Sequence, residues 1–290
     1  MCEYTSTQSR ILETRFGPGI SQIDGDFEEQ FFELADDWLG EPATPPVLLS
    51  GMVGSTIGWK DAPYLSCPVS TEQIADGRIT FEARGVEFSI LAGLRNTNPL
   101  GSPDLMRGEE LQLLGWLRSQ ATSPPRQLFA LPGTHNKWAL CKNGEVSTFL
   151  TAYTGELFAL LRNHSILISD SSEFRFDEQV FLQGVKTASN MDDAQLIHTL
   201  FSTRAKQVVG DIAAEDALSY LSGLIISADI SGALALFKDF DSLTIIGESS
   251  LSKHYELAAN HYGVSVETCD PSAIAIAGFA AIYQQIFARH

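Results

Sequence analysis

The sequence predicts an α/β protein of two domains, and three observations carry that prediction. Three short strands and a helix follow one another between Gln127 and Leu161. The last third of the chain alternates helices with strands. Between them and the first part lies Gln120 to Pro125, a Gln-Ala-Thr-Ser-Pro-Pro segment that reads as a boundary and leaves two domain-sized pieces of a 290-residue chain. The expected domains are 1–120 and 121–290, with the final helix suited to packing back on the first.

Each element has a local reason. Gln127-Leu-Phe-Ala-Leu131 is an apolar run of strand length, Pro132-Gly-Thr-His-Asn136 a polar turn, and Lys137-Trp-Ala-Leu-Cys141 a second strand. Asn143-Gly144 is the pair that two-residue hairpins favour, so Val146 to Thr151 returns as the third strand of a meander. Thr154 to Leu161 begins a helix with Leu157, Leu160, Leu161 and His164 at helical spacing. Earlier, strands at Cys2 to Thr5 and Arg10 to Phe16 precede Gly17-Pro-Gly19, a helix over Phe27 to Leu39, a strand at Val47 to Ser50 and the loop Gly51-Met-Val-Gly-Ser55. This half reads as the later one with its first strand and polar loop removed. Phe81 and Phe88 to Leu91 suggest small strands, and Glu109 to Leu117 a helix with Leu111 and Leu114 inward. After the boundary come a helix at Ala214 to Leu236, a strand at Leu243 to Ile246, a helix at Leu251 to Tyr262, a strand at Val264 to Thr268 and an apolar helix from Ser272. That alternation calls for a parallel component in the sheet.

Composition excludes several functions. Lys plus Arg number 19 against 36 Asp plus Glu, a formal charge of −17, which argues against nucleic acid or an anionic membrane as partner. Hydrophobic residues at 44% and charged residues at 19% describe a folded globular chain. Cys2, Cys67, Cys141 and Cys269 include no C-x-x-C pair, so neither a metal site nor a disulfide scaffold is readable and a reducing cytoplasm fits. The start lacks a secretory pattern, and the apolar run Pro271 to Tyr283 is too short to span a bilayer. The last helix, apolar nearly all round, suits packing between domains or a homodimer.

The chemistry concentrates in a few loops. Ser50 to Thr56, Pro132 to His135 and Gly247 to Ser250 each follow an apolar strand with small residues. Glycine there lets backbone N–H groups approach a phosphate, and hydroxyls add donors. The third loop joins a strand to a helix, where Ser249 and Ser250 suit an adenosine pocket or equally an N-cap. Asp104-Leu-Met-Arg-Gly-Glu-Glu110 gathers three carboxylates at a helix start, and phosphoryl transfer needs a carboxylate near the acceptor hydroxyl. Glu109 is the candidate base; acidic residues in a helix first turn are also simply favourable. Lys60, Arg95 and Arg107 are cations beside these motifs, suited to a substrate carboxylate or to solvent. Trp59 suits packing more than sugar stacking, and His135 is the histidine of the second loop.

These motifs resemble a known family. Ser50 to Ser55 with Gly58-Trp59 and Ala62-Pro63-Tyr64, Met106 to Glu110, Pro132 to His135 with Lys137-Trp138, Thr154 to Phe158, and His164-Ser165 match the 2-dehydro-3-deoxygalactonokinases in order and spacing. Leu221 to Leu224 and Gly247 to Tyr255 extend the resemblance into the last third. It implies the two-domain actin-like ATPase (ribonuclease H-like) fold, with a sugar-acid-binding first domain and a nucleotide-binding second one. It also implies transfer of the γ-phosphate of ATP, with Mg2+, to the 6-hydroxyl of 2-dehydro-3-deoxy-D-galactonate in galactonate breakdown. Glu109 is then similar to the base, with Glu110 and Asp104 as alternates. Gly133, Thr134 and His135 are similar to a phosphate loop, and Gly247, Glu248, Ser249 and Ser250 to the adenosine loop. Ser55, Trp59, Lys60, Arg95 and Arg107 are the candidate sugar-acid contacts. Family members carry a further strand and an Asp-x-Gly-Thr-Thr loop ahead of the residues matching Cys2, a segment that the comparison of the two halves also finds missing. The expectation is a first domain without its first strand, and weak or no kinase activity in the chain as written. The alternative function is a catalytically inactive sugar-acid- or nucleotide-binding protein descended from such a kinase.

Overall fold

The computed structural model describes residues 2–4, 9–23, 25–40, 45–122, 124–168, 174–191 and 195–287. Thr5, at the end of the first expected strand, and Ser123, inside the expected boundary, lie outside them. The protein is α/β and divides into two units. One comprises Met1–Ser123, Asn143–Thr148 and Pro271–His290; the other comprises Pro124–Lys142 and Phe149–Asp270.

In the first unit, β1 (Cys2–Tyr4) and β2 (Ser9–Ile11) pair antiparallel. The second strand ends well short of Phe16, which lies outside any strand and is exposed ahead of the Gly17-Pro18-Gly19 breaker. Helix α1 (Phe27–Ala35) is capped by Asp26, whose carboxylate accepts from the Glu28 amide at 2.8 Å, and Glu28 and Glu29 complement the helix dipole. There follow β3 (Val47–Leu49), β4 (Tyr64–Ser66), β5 (Val69–Ser70), α2 (Thr71–Asp76), β6 (Ile79–Ala83), β7 (Val86–Ile90), β8 (Gly93–Thr97), β9 (Pro103–Met106) and α3 (Glu109–Ser119). Two three-stranded sheets result, ordered β3-β7-β6 and β4-β8-β9, each with one parallel and one antiparallel pairing. Sequence reading found only part of this region, because strands of two to five residues leave too few positions for a period of two to show.

The second unit contains the expected meander: β10 (Arg126–Leu131), β11 (Asn136–Lys142) and β12 (Glu145–Ala152). Asn143 and Gly144 between them both adopt positive φ, 51° and 82°, as a tight hairpin of this type requires. The start of β12, counted with the first unit, pairs with β5. Helix α4 (Thr154–His164) follows at once, although Leu160 and His164 face outward and only Leu157 and Leu161 of the spaced set pack inward. Then come α5 (Glu178–Ser189), α6 (Leu196–Leu200), α7 (Ser202–Val209), α8 (Ala217–Leu236), β13 (Ser242–Ile246), α9 (Ser249–His261) and β14 (Val266–Cys269). Strand order is β14-β13-β10-β11-β12, with β13 parallel to β10 and β14 parallel to β13. Helix α8 is long and apolar enough to cross a membrane by length and composition alone, yet most of it is buried in this unit, so it acts as a core helix. Because β10 and β13 run parallel, the loops after Leu131 and after Ile246 leave the sheet at the same edge.

The last helix, α10 (Pro271–Phe287), belongs to the first unit and packs on α3. The backbones meet at Gly115, where a β-carbon would fall 2.0 Å from the Ile274 carbonyl oxygen and 2.7 Å from the Gly278 nitrogen. Gly115→Ala is therefore expected to overpack this contact and cost about 1–3 kcal/mol, read as a lower denaturation midpoint. An unchanged midpoint would show that α3 and α10 separate freely.

Candidate active site

At the shared edge of the second unit, the loop Gly133-Thr134-His135 is exposed and is held from behind by the N-terminus of α4. The Glu156 amide donates to the Thr134 carbonyl at 2.9 Å. Gly155 sits so close that a β-carbon there would lie 2.2 Å from the Gly133 oxygen. His135 Nε2 is 2.6 Å from Glu156 Oε2, and its ring stacks on Tyr153. Hydrogen bonds from Tyr153 and then His135 hold the Glu156 carboxyl below its ordinary value.

The other loop lies against the first. A β-carbon on Gly247 would meet the Pro132 ring at 2.8 Å, so glycine is what allows the two turns to touch. Glu248, Ser249 and Ser250 are exposed. Helix α9 already begins at Ser249 and has no side-chain cap, which removes the N-cap reading of the two serines. Gly133 and Ser250 line one cavity of about 210 Å³, together with Phe158, Phe174, Phe176 and His254. Phe176 and His254 are stacked with centroids 4.2 Å apart. Burial, aided by the Lys253 charge, lowers the His254 pKa, so the ring is neutral at physiological pH. The cavity thus combines aromatic side chains with the glycine and serine of the two loops.

In the first unit, the turns after β3 and before α3 face each other, and Gly108 takes φ 114° at the start of α3. Ser50, Gly51, Gly108, Glu109, Gln112 and Phe279 line an open cavity of about 300 Å³. Glu109 Oε2 accepts from the Arg107 amide at 3.1 Å. Glu110 differs entirely: it is fully buried, its carboxyl accepting from the Gly108 amide at 2.6 Å and from the Ser50 hydroxyl at 3.3 Å. Burial, with the charge of Glu109 beside it, pushes Glu110 up to about 8. Its carboxyl thus favours the protonated form near neutral pH and, unlike that of Glu109, does not line the cavity.

A stability prediction follows from that shift. The unfolded chain releases this proton near 4.5 and the folded protein near 8, so the stabilisation is complete below 4.5 and is lost as pH rises to about 8. The Tm is expected to fall across that window, and Glu110→Gln to flatten the fall. An equal slope in the variant would place the titrating group elsewhere.

The remaining chosen residues do not gather at this cavity. The Asp104 carboxylate accepts from the Asn98 side chain at 3.1 Å and the Leu105 amide at 2.9 Å, so it orders a turn. Ser55 is buried and donates to the Met52 carbonyl at 2.7 Å. Trp59 is a half-buried packing residue, its ring 4.9 Å from Phe88 and 5.1 Å from Phe81 in edge contacts. Lys60 is exposed over Phe81, and Arg95 is exposed with Nε donating to Ser66 at 3.0 Å. Arg107 is the built cation: it stacks on Tyr64 at 4.2 Å, Nη2 donates to the Ala62 carbonyl at 2.7 Å and Nε to the Tyr64 hydroxyl at 3.2 Å. Its Nη1 is buried without a hydrogen-bond partner.

With this geometry in view, a model of the 2-keto-3-deoxy-galactonokinase family matches residues 2–282. The chain belongs to that family. It is 33% identical over 249 residues to a Rhizobium meliloti (strain 1021) protein named as a probable 2-dehydro-3-deoxygalactonokinase, covering 85% of this chain and 80% of that one. It is 32% identical over 258 residues to the 2-dehydro-3-deoxygalactonokinase of Escherichia coli (strain K12), covering 89% and 82%. The crystal structure of a Sinorhizobium meliloti protein described provisionally as a 2-dehydro-3-deoxygalactonokinase superposes with a TM-score of 0.78 at 33% identity, over 85% of this chain and 82% of that one.

For this kinase family member, sequence reading missed the walls of the second unit's cavity. Phe158 lay inside a quoted motif without a role, and Phe174, Phe176 and His254 were not singled out. The only available signal was the concentration of aromatic residues at 174–176, and nothing local ties it to α9.

Proposed function

We propose that the chain is an ATP-dependent kinase for 2-dehydro-3-deoxy-D-galactonate, producing the 6-phosphate, with the nucleotide held by the second unit and the sugar acid by the first. The observation that carries this reading is that Gly133 and Ser250 line one and the same cavity in a member of a kinase family. Its aromatic side chains suit a purine base, and the glycine turns and the uncapped N-terminus of α9 suit phosphate oxygens. The meander followed by two added parallel strands supports the actin-like assignment of this unit. Among the described residues no three His, Cys, Asp or Glu side chains converge on one point. Mg2+ would be held in large part by phosphate and water oxygens, as is usual for this ion, and would neutralise charge on the transferred group.

In the first unit, Glu109 is assigned the base that takes the proton of the 6-hydroxyl as its oxygen bonds to the γ-phosphorus and the bond to ADP breaks. Arg107 is assigned the substrate carboxylate, because it is the cation nearest Glu109 in the chain, its amide donates to that carboxylate and its guanidinium is clamped by Tyr64 and Ala62. The net charge of −17 makes such placed cations necessary for an anionic substrate.

The test measures ADP release with MgATP and the galactonate derivative, its gluconate epimer as comparison, alongside calorimetric binding of ADP. Sugar-acid-dependent ADP release supports the kinase. Binding of both ligands without turnover assigns the inactive binding protein instead, and absence of ADP binding overturns the nucleotide site.

A further inference from the structure

Asp229 is the one charged residue in the 20-residue helix α8, whose other side chains are apolar or small and polar. A carboxylate in such a place is costly unless its oxygens are satisfied. Here four donors satisfy them. Trp138 Nε1 donates to Oδ1 at 2.7 Å, while Asn136 Nδ2 at 2.8 Å, Thr154 Oγ1 at 2.7 Å and Tyr255 OH at 2.7 Å all donate to Oδ2. Three of the donors crowd Oδ2 and one serves Oδ1; burial raises the Asp229 pKa, and these four hydrogen bonds oppose that rise. The Tyr255 phenol is held well above its ordinary pKa by burial and by the Asp229 charge, so it stays a donor.

The donors' positions give the cluster its meaning. Asn136 and Trp138 open β11, immediately after Gly133-Thr134-His135. Thr154 is the first residue of α4, the helix whose Gly155 and Glu156 brace that same loop. Tyr255 belongs to α9, which begins at the second loop. Asp229 itself contacts neither loop in any hydrogen bond given above. We propose that Asp229 is a positioning residue that sets the Gly133–His135 loop, and its register with α9, for the phosphates of the nucleotide. This rests on the kinase reading for the ligand but not for the latch.

Three variants test it: Asp229→Asn, and, since that change places an amide among donors and can impair folding, Tyr255→Phe and Thr154→Val, which remove one donor each. Two measurements apply to the protein and each folded variant: amide hydrogen exchange of residues 133–136 and 154–156, and calorimetric affinities for ADP and for the sugar acid. The expected result is faster exchange in those segments and ADP binding weakened by about tenfold, the usual effect of losing one charge-assisted bond from a supporting shell, with sugar-acid affinity unchanged. Unchanged loop exchange overturns the latch. Faster exchange with undiminished ADP affinity overturns the role in nucleotide binding. If the unaltered protein binds no ADP, the kinase reading fails, and faster loop exchange in the variants would then leave a purely structural latch.

Discussion

Glu109→Gln is expected to lower the rate of sugar-acid-dependent ADP release by about 10²- to 10⁴-fold relative to the unaltered chain, whatever that chain's absolute rate. The amide oxygen of Gln still accepts from the Arg107 amide, so the start of α3 keeps its shape while the proton acceptor disappears. The loss should fall on kcat, with KM for the sugar acid and Tm close to the original, because the group acts only as the hydroxyl gives up its proton. Steady-state kinetics with a thermal unfolding control would read this. A loss confined to KM would make Glu109 a binding group, and an undiminished rate would remove it from the chemistry. The neighbouring Glu110 provides the contrast: it is buried and already protonated near neutral pH, so its replacement by Gln is expected to alter pH-dependent stability far more than turnover.

Gly155→Ala is expected to lower kcat/KM for ATP by about 10- to 10²-fold. The added β-carbon would lie 2.2 Å from the Gly133 oxygen and 3.0 Å from Thr134 Cα. Neither is the flexible end of a side chain, so the loop itself must move, and misplacement by about 1 Å is enough for an effect of this size. Comparison of KM for ATP with KM for the sugar acid is the decisive measurement. An unchanged nucleotide KM would show that the Gly133 loop does not receive phosphate.

How much of this was legible beforehand depends on the range of the interaction. The meander from Arg126 to Ala152 was readable because its strands are long enough for an apolar pattern and its turn needs Asn143-Gly144, residues adjacent in sequence. The loops at Gly133 and Gly247 were readable for the same reason, since glycine after an apolar strand is a local signal. The small sheets between Val47 and Met106 were not, because each depends on a parallel pair between distant strands, Val47 with Phe88 and Tyr64 with Gly93, and their strands are too short to show a pattern of their own. The helices from Glu178 to Val209 went unread although Asp177 caps the first of them, accepting from the Val180 amide at 2.9 Å. Asp229 was not singled out, although it is the one charge in an apolar helix, because its four partners come from positions 136 to 255.

By itself, the sequence determined the α/β class, the acidic character, the second unit's core of strands and the family. Only the tertiary structure decided which of two adjacent carboxylates, Glu109 and Glu110, faces a cavity and which is buried and protonated. It also decided that Trp59 packs among rings, and that Arg107 is held by Tyr64 and Ala62 while Lys60 and Arg95 are exposed. The physical reason is that side-chain chemistry is carried by each residue, whereas burial, proton affinity and hydrogen-bond satisfaction are properties of the surroundings, and those are assembled from segments distant in the chain.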